Sequence, residues 1–141
     1  MERLKQQLRF ILELDKQKEI GRQTYLADGS RKEGDAEHAW HMAVMAFLLA
    51  DYSNVKIDVL KTMKMILLHD VIEIDAGDTY AYDDKANKTK KARELKAADR
   101  IYGMLPEDQE RNTGLCGRNL RQWKRRKQSL PIHWIKYSRC F

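Results

Sequence analysis

Apolar residues recur at helical spacing from the start of the chain. Leu4, Leu8, Ile11, Leu12 and Leu14 form a stripe through "ERLKQQLRFILELDKQKEI" and predict a helix over residues 2 to about 20, ended by Gly21. The segment "RQTYLADGSRKEGDAEH" loses that period and reads as a loop, with a turn at Asp28-Gly29 and Asp35 placed to N-cap the next helix. "AWHMAVMAFLLADYS" is apolar almost all round, so a second helix beginning near His38 is expected at the centre of the domain. "NVKIDVLKTMKMILLHDVIEIDAG" predicts a third, with Val59, Leu60, Met63, Ile66, Leu67 and Val71 facing inward and a stop near Ala76-Gly77. After the polar "DTYAYDDKANK", the period returns in "TKKARELKAADRIYGML", which Gly103 or Pro106 closes. No strand pattern of any length appears, and the expected fold class is all-α.

Charge changes this picture only at the C-terminal end. The chain has 141 residues and a net charge of +6, which by itself points to nucleic acid or an acidic surface. Yet residues 1–110 carry 18 Lys and Arg against all 21 Asp and Glu, while residues 111–141 carry nine basic residues and no acidic one. The basic character belongs to the tail. The length suits one domain, and the longest apolar runs, such as "MAVMAFLLA", are too short to span a bilayer. With no signal-like N-terminal segment, a soluble, cytoplasmic protein without a membrane partner is expected. Cys116 and Cys140 lack ligand-like spacing and read as free thiols.

The chemistry gathers in "MILLHDVIEIDAGD", where His69, Asp70, Glu73, Asp75 and Asp78 follow an apolar run. Burying such groups is costly unless something pairs with them. If helices two and three pack antiparallel, His38 converges on His69 and Asp70, and two imidazoles with a carboxylate are a common ligand set for a divalent transition ion. Glu73 lies over the same face, within reach of a metal-bound water. His41 is read instead as an ordinary core histidine, and Asp75 as a turn cap.

"AEHAWHMAVMAFLLA", "LLHDVIEIDAGDTYAYD" and the preceding "GRQTYLADGSRKEGDAEH" together resemble the HD-domain metal-dependent phosphohydrolases, in particular the short group related to 5'-deoxynucleotidases. The likeness runs from about residue 5 to residue 109. It implies a helical HD-type bundle with a metal site between the central helices, the metal held by His38, His69 and Asp70. Glu73 and Asp78 match the family's catalytic acids, and Arg22 matches its phosphate-binding arginine. Gln23 stands at a substrate-contact position where the best-known deoxynucleotidases have an aromatic residue. The implied reaction releases phosphate from a nucleoside 5'-monophosphate. The implied cofactor is a divalent ion, with Mn, Co, Zn, Fe, Ni and Mg all compatible with the ligands, and relatives are often homodimers.

The likeness fails in the tail. The family's last metal ligand is an aspartate on a late helix, and residues 111–141 offer no carboxylate side chain. Rereading each codon's third base with the next two, from Gly114, permits "TLWEEFEAMETPEAKFAHTLDKIQPL", which resembles the family's C-terminal region. Two of its residues hold for any codon choice, a glutamate from Trp123-Lys124 and an aspartate from Trp134-Ile135. The expected organisation is therefore an HD-type domain over residues 1–110, C-terminally incomplete, and a frameshifted basic tail over residues 111–141. Two other readings follow: a metal-free or catalytically impaired scaffold, and a tail that binds nucleic acid through "RNLRQWKRRK", the latter disfavoured because the shifted frame accounts for the same residues.

Overall fold

A computed structural model describes residues 1–53, 56–77 and 84–113, with the backbone alone for residues 84–89. Helix α1 spans Glu2–Leu14 and tightens into a 3-10 turn over Asp15–Glu19. A hairpin follows, with β1 at Gly21–Tyr25 and β2 at Lys32–Gly34, antiparallel, with Gly21 opposite Gly34, Tyr25 opposite Lys32 and a register shift between these two pairs. Then come α2 at Asp35–Leu48, α3 at Val59–Leu68, the single turn α4 at Glu73–Ala76 and α5 at Asp84–Tyr102. The described chain is predominantly helical, as the apolar period predicts.

The hairpin corrects the expected loop. "GRQTY" and "KEG" are too short and too polar to show a strand pattern, and their pairing is set by the turn between them. The expected Asp28-Gly29 turn is present. Gly29 takes φ +70°, where a Cβ is disfavoured, and Asp28 accepts the Ser30 N–H at 2.9 Å through its side chain. Asp35 does not cap α2. Gly34 holds the N-cap position and Asp35 begins the helix fully buried, while Glu37 reaches back to accept the Gly34 N–H at 2.9 Å.

The third predicted helix is also broken. Asp58 caps α3 by accepting the Lys61 N–H at 3.0 Å, but the helix ends at Leu68 and only α4 resumes it. The break frees backbone carbonyls that a continuous helix would satisfy. The Ile66 carbonyl accepts from His69 Nδ1 at 2.5 Å and the Leu68 carbonyl from the Tyr102 hydroxyl at 2.8 Å.

Two apolar clusters build the core. The larger joins Phe10 of α1, Val71, Ile72 and Ala76 around α4, and Ala97, Ala98, Ile101 and Tyr102 of α5. A smaller one joins Met42 and Ala43 of α2 to Ile66 of α3. Two expected inward residues of α3, Leu60 and Leu67, are exposed instead, and Met65 is buried. On α1 the predicted stripe of Leu4, Leu8, Ile11 and Leu12 lies exposed, and Phe10 is the residue that enters the core. Ends of the described chain are tied together by Arg3 and Asp108, a two-bond ion pair at 2.8 and 2.9 Å.

Candidate metal centre

The site lies between the two clusters, where the break after α3 faces the start of α2. His38 projects from the first turn of α2; His69 and Asp70 occupy the break. All three are buried, and one ligand atom from each falls within 4.8 Å of the others. The imidazole centroids are 6.2 Å apart and their planes meet at 44°.

Each ring has its Nδ1 engaged elsewhere. His38 Nδ1 donates to Glu33 Oε2 at 2.9 Å, and His69 Nδ1 donates to the Ile66 carbonyl. That arrangement leaves Nε2 of each ring as the nitrogen directed to a ligand, and His69 Nε2 lies 2.7 Å from Asp70 Oδ2. Two imidazoles and a carboxylate so disposed fit a divalent cation. Burial, joined by the positive charge of Arg22, lowers the His38 pKa to about 4 against the opposing pull of Glu33 and Asp70. His38 is therefore in its neutral, coordinating form at neutral pH.

A second group of carboxylates adjoins the first. Asp35, Asp70 and Glu73 also bring oxygens within 4.8 Å of one another. Their mutual repulsion is offset by Arg22, whose Nη1 donates to Asp35 Oδ1 at 2.5 Å and to Asp70 Oδ2 at 2.8 Å. Burial alone lowers the pKa of Arg22, but the charges of Asp70, Asp35 and Glu73 and the hydrogen bond to Asp35 outweigh it, so the pKa is raised and the guanidinium stays protonated. For Asp35, burial and the charge of Asp70 push the pKa up, opposed by hydrogen bonds from Gln17 and Arg22. Gln17 Nε2 supplies its bond at 2.7 Å. Among the described residues, the buried Nε–H of Arg22 has no acceptor. It is a donor left over beside a metal-ligand cluster.

Gln23 lies on β1 beside Arg22 but on its exposed side, where its Oε1 accepts from Lys32 Nζ at 2.8 Å. The alternation of a strand separates these two neighbours, so the structure does not bring Gln23 to the cluster. His41 is exposed against Trp40 rather than buried in the core, and Asp75 pairs with Arg100. Asp78 and residues 114–141, including both cysteines and most of the basic tail, lie outside the described residues. A cavity of about 340 Å³ opens between residues 25–28 and the face of α2 carrying His38, Met42 and Met45, with Glu33 in its wall.

Sequence reasoning missed Glu33 and Gln17 and gave Asp35 a different role. Glu33 meets His38, Asp35 meets Arg22 and Gln17 meets Asp35, each between different elements, so no helical or strand period links them.

A predicted metal-dependent phosphohydrolase from Magnetospirillum magnetotacticum MS-1 superposes with a TM-score of 0.77 at 44% sequence identity, over 91% of this chain and 64% of that one. The 5'-deoxynucleotidase HDDC2 of Homo sapiens is 33% identical over 78 residues, 55% of this chain and 37% of that protein. The Mus musculus protein of the same name is 30% identical over 102 residues, 72% of this chain and 50% of that protein. The chain thus spans half or less of the length of these curated relatives. The family model for the HD domain matches residues 14–124, which include the hairpin, both histidines and Asp70, and on that match the chain belongs to the HD-domain family.

Proposed function

We propose that this chain is a metal-dependent phosphohydrolase that releases phosphate from nucleoside 5'-monophosphates. The observation that carries the reading is the leftover Nε–H donor of Arg22 beside the His38, His69 and Asp70 cluster. A cation site next to a buried guanidinium with a spare donor suits an oxyanion bearing more than one charge. The curated relatives are named for 5'-deoxynucleotides and support the substrate class.

His38, His69 and Asp70 would hold a divalent ion, which when bound would lower the pKa of a water toward neutrality and polarise a phosphoryl oxygen. Asp35 and Gln17 fix Arg22 so that it grips the phosphate. Glu73, beside Asp70, takes the proton from the attacking water. Asp78 serves proton transfer at the leaving 5' oxygen as the P–O bond breaks. The phosphate product and a nucleoside then leave.

The second reading is an impaired enzyme. It is favoured by residues 111–141, which carry no Asp or Glu where the resemblance places the family's last metal ligand. One experiment separates the two. Phosphate release from a panel of nucleoside 5'-monophosphates is followed with manganese or cobalt, for this chain and for a version carrying the reread tail. Activity in both, reduced on the order of a thousandfold (about 4 kcal/mol) by His69→Ala, establishes the first reading. Activity in the restored version alone establishes the second, and silence from both overturns the nucleotidase assignment.

A further inference from the structure

We propose that Glu33 is a positioning residue of the metal centre, one that sets which nitrogen of His38 faces the cation. The inference rests on the metal reading of the site above. Glu33 is the middle residue of β2, immediately before Gly34, the N-cap residue of α2, and its side chain is about nine-tenths buried. Its Oε2 accepts two hydrogen bonds, from His38 Nδ1 at 2.9 Å and from Thr24 Oγ1 at 3.1 Å. A carboxylate has only acceptors to offer, so the His38 nitrogen facing it must carry the proton. Nε2 then presents its lone pair.

The Nδ1 atoms of the two imidazoles are engaged by different means. His69 donates to the Ile66 carbonyl, three residues back on its own segment. His38 has no such local partner in the hydrogen bonds described for it and relies on a residue from the hairpin. A carboxylate acceptor is charge-assisted and makes the ring a stronger donor to a metal than a carbonyl does. Thr24, on the partner strand, holds the same oxygen and limits rotation of the carboxylate. The hairpin thereby serves both halves of the chemistry: Arg22 for the phosphate and Glu33, through His38, for the cation.

A purely structural role, clipping the hairpin to α2, predicts different results from these. In metal-free protein labelled with 15N-histidine, well above the imidazole titration range, the wild-type His38 carries its proton on Nδ1. Glu33→Ala moves proton population to Nε2, and Glu33→Gln, whose amide oxygen still accepts, moves less. In cobalt titrations followed by calorimetry, Glu33→Ala weakens Co2+ binding about 10- to 100-fold, and Glu33→Gln weakens it less. In a His38→Ala background, Glu33→Ala causes no further loss. A folded Glu33→Ala variant with unchanged tautomer and unchanged affinity overturns the proposal, as does a full affinity loss that persists without His38. If Glu33→Ala does not fold, Glu33→Gln and Thr24→Val carry the same two measurements. If the wild-type chain takes up no Co2+, the metal reading fails, and the tautomer measurement still decides what Glu33 does to His38.

Discussion

The two sides of the metal centre are held by different forces. His69 and Asp70 sit between Leu68 and the fully buried Val71 and Ile72, so their backbone is fixed by the larger apolar cluster around Ile101. His38 and Arg22 are instead held by a buried polar network of Glu33, Asp35, Gln17 and Thr24, beside the small Met42, Ala43 and Ile66 cluster. Apolar packing is spread over many contacts and is indifferent to pH. A polar network is directional, and removing one member leaves another buried and unsatisfied.

The largest test of that contrast is Ile101→Ala, at a residue with no exposed surface. It should destabilise by about 4 kcal/mol, the scale of a cavity in a filled core, and by a similar amount across the pH range, as read from urea unfolding at several pH values. Asp35→Ala attacks the other side. It leaves buried Gln17 without its acceptor and Arg22 with Asp70 as its remaining hydrogen-bonded carboxylate, and the expected loss is about 3 kcal/mol.

A pH series sharpens the comparison further. His38 takes up its proton near 6.5 in the unfolded chain and about 4 in the folded one. Between those values the unfolded state binds more protons, so stability of the metal-stripped protein falls as pH drops from 6.5 toward 4. Asp35, with its pKa raised, has the opposite sign: its contribution favours the folded state as pH falls and is lost as pH rises through its folded pKa. The urea midpoint should therefore decline across the His38 window, and His38→Gln should flatten that decline. A slope unchanged by the substitution would refute the assignment to His38. The smallest effect belongs outside both halves. Leu12→Ser, at a site 72% exposed on α1, should shift stability by less than about 0.5 kcal/mol, and a larger loss would mean that this face is covered in solution.

Much of the helical frame was legible because apolar residues at a 3.6 period mark α1 and α5 and a nearly continuous apolar run marks α2. The break at His69-Asp70 was not legible, since "MILLHDVIEI" keeps a helical apolar period straight through it. What ends the helix is tertiary: the Tyr102 hydroxyl, 34 residues on, takes the Leu68 carbonyl. Likewise the chemistry of His38, His69 and Asp70 could be nominated from residue type and spacing. The carboxylates that orient their neighbours could not, because Asp35 meets Arg22 from 13 residues away and Arg22 meets Asp70 across 48. Short strands of polar composition hid the hairpin that makes the first of those meetings.

The hairpin's two ends also differ in how freely they can change. Its base is pinned by the pairing of Gly21 with Gly34 and by the Asp35 N–H to the Ile20 carbonyl at 2.9 Å, and there it fixes Arg22 against Asp35. Its tip, residues 25–28, forms a wall of the cavity. Residues added or removed at the tip would reshape that wall while leaving the base pairing, and the charge it aligns, in place. Lineages could thus retune what fits beside the cluster by editing one turn, with the Arg22–Asp35 pair insulated from the change.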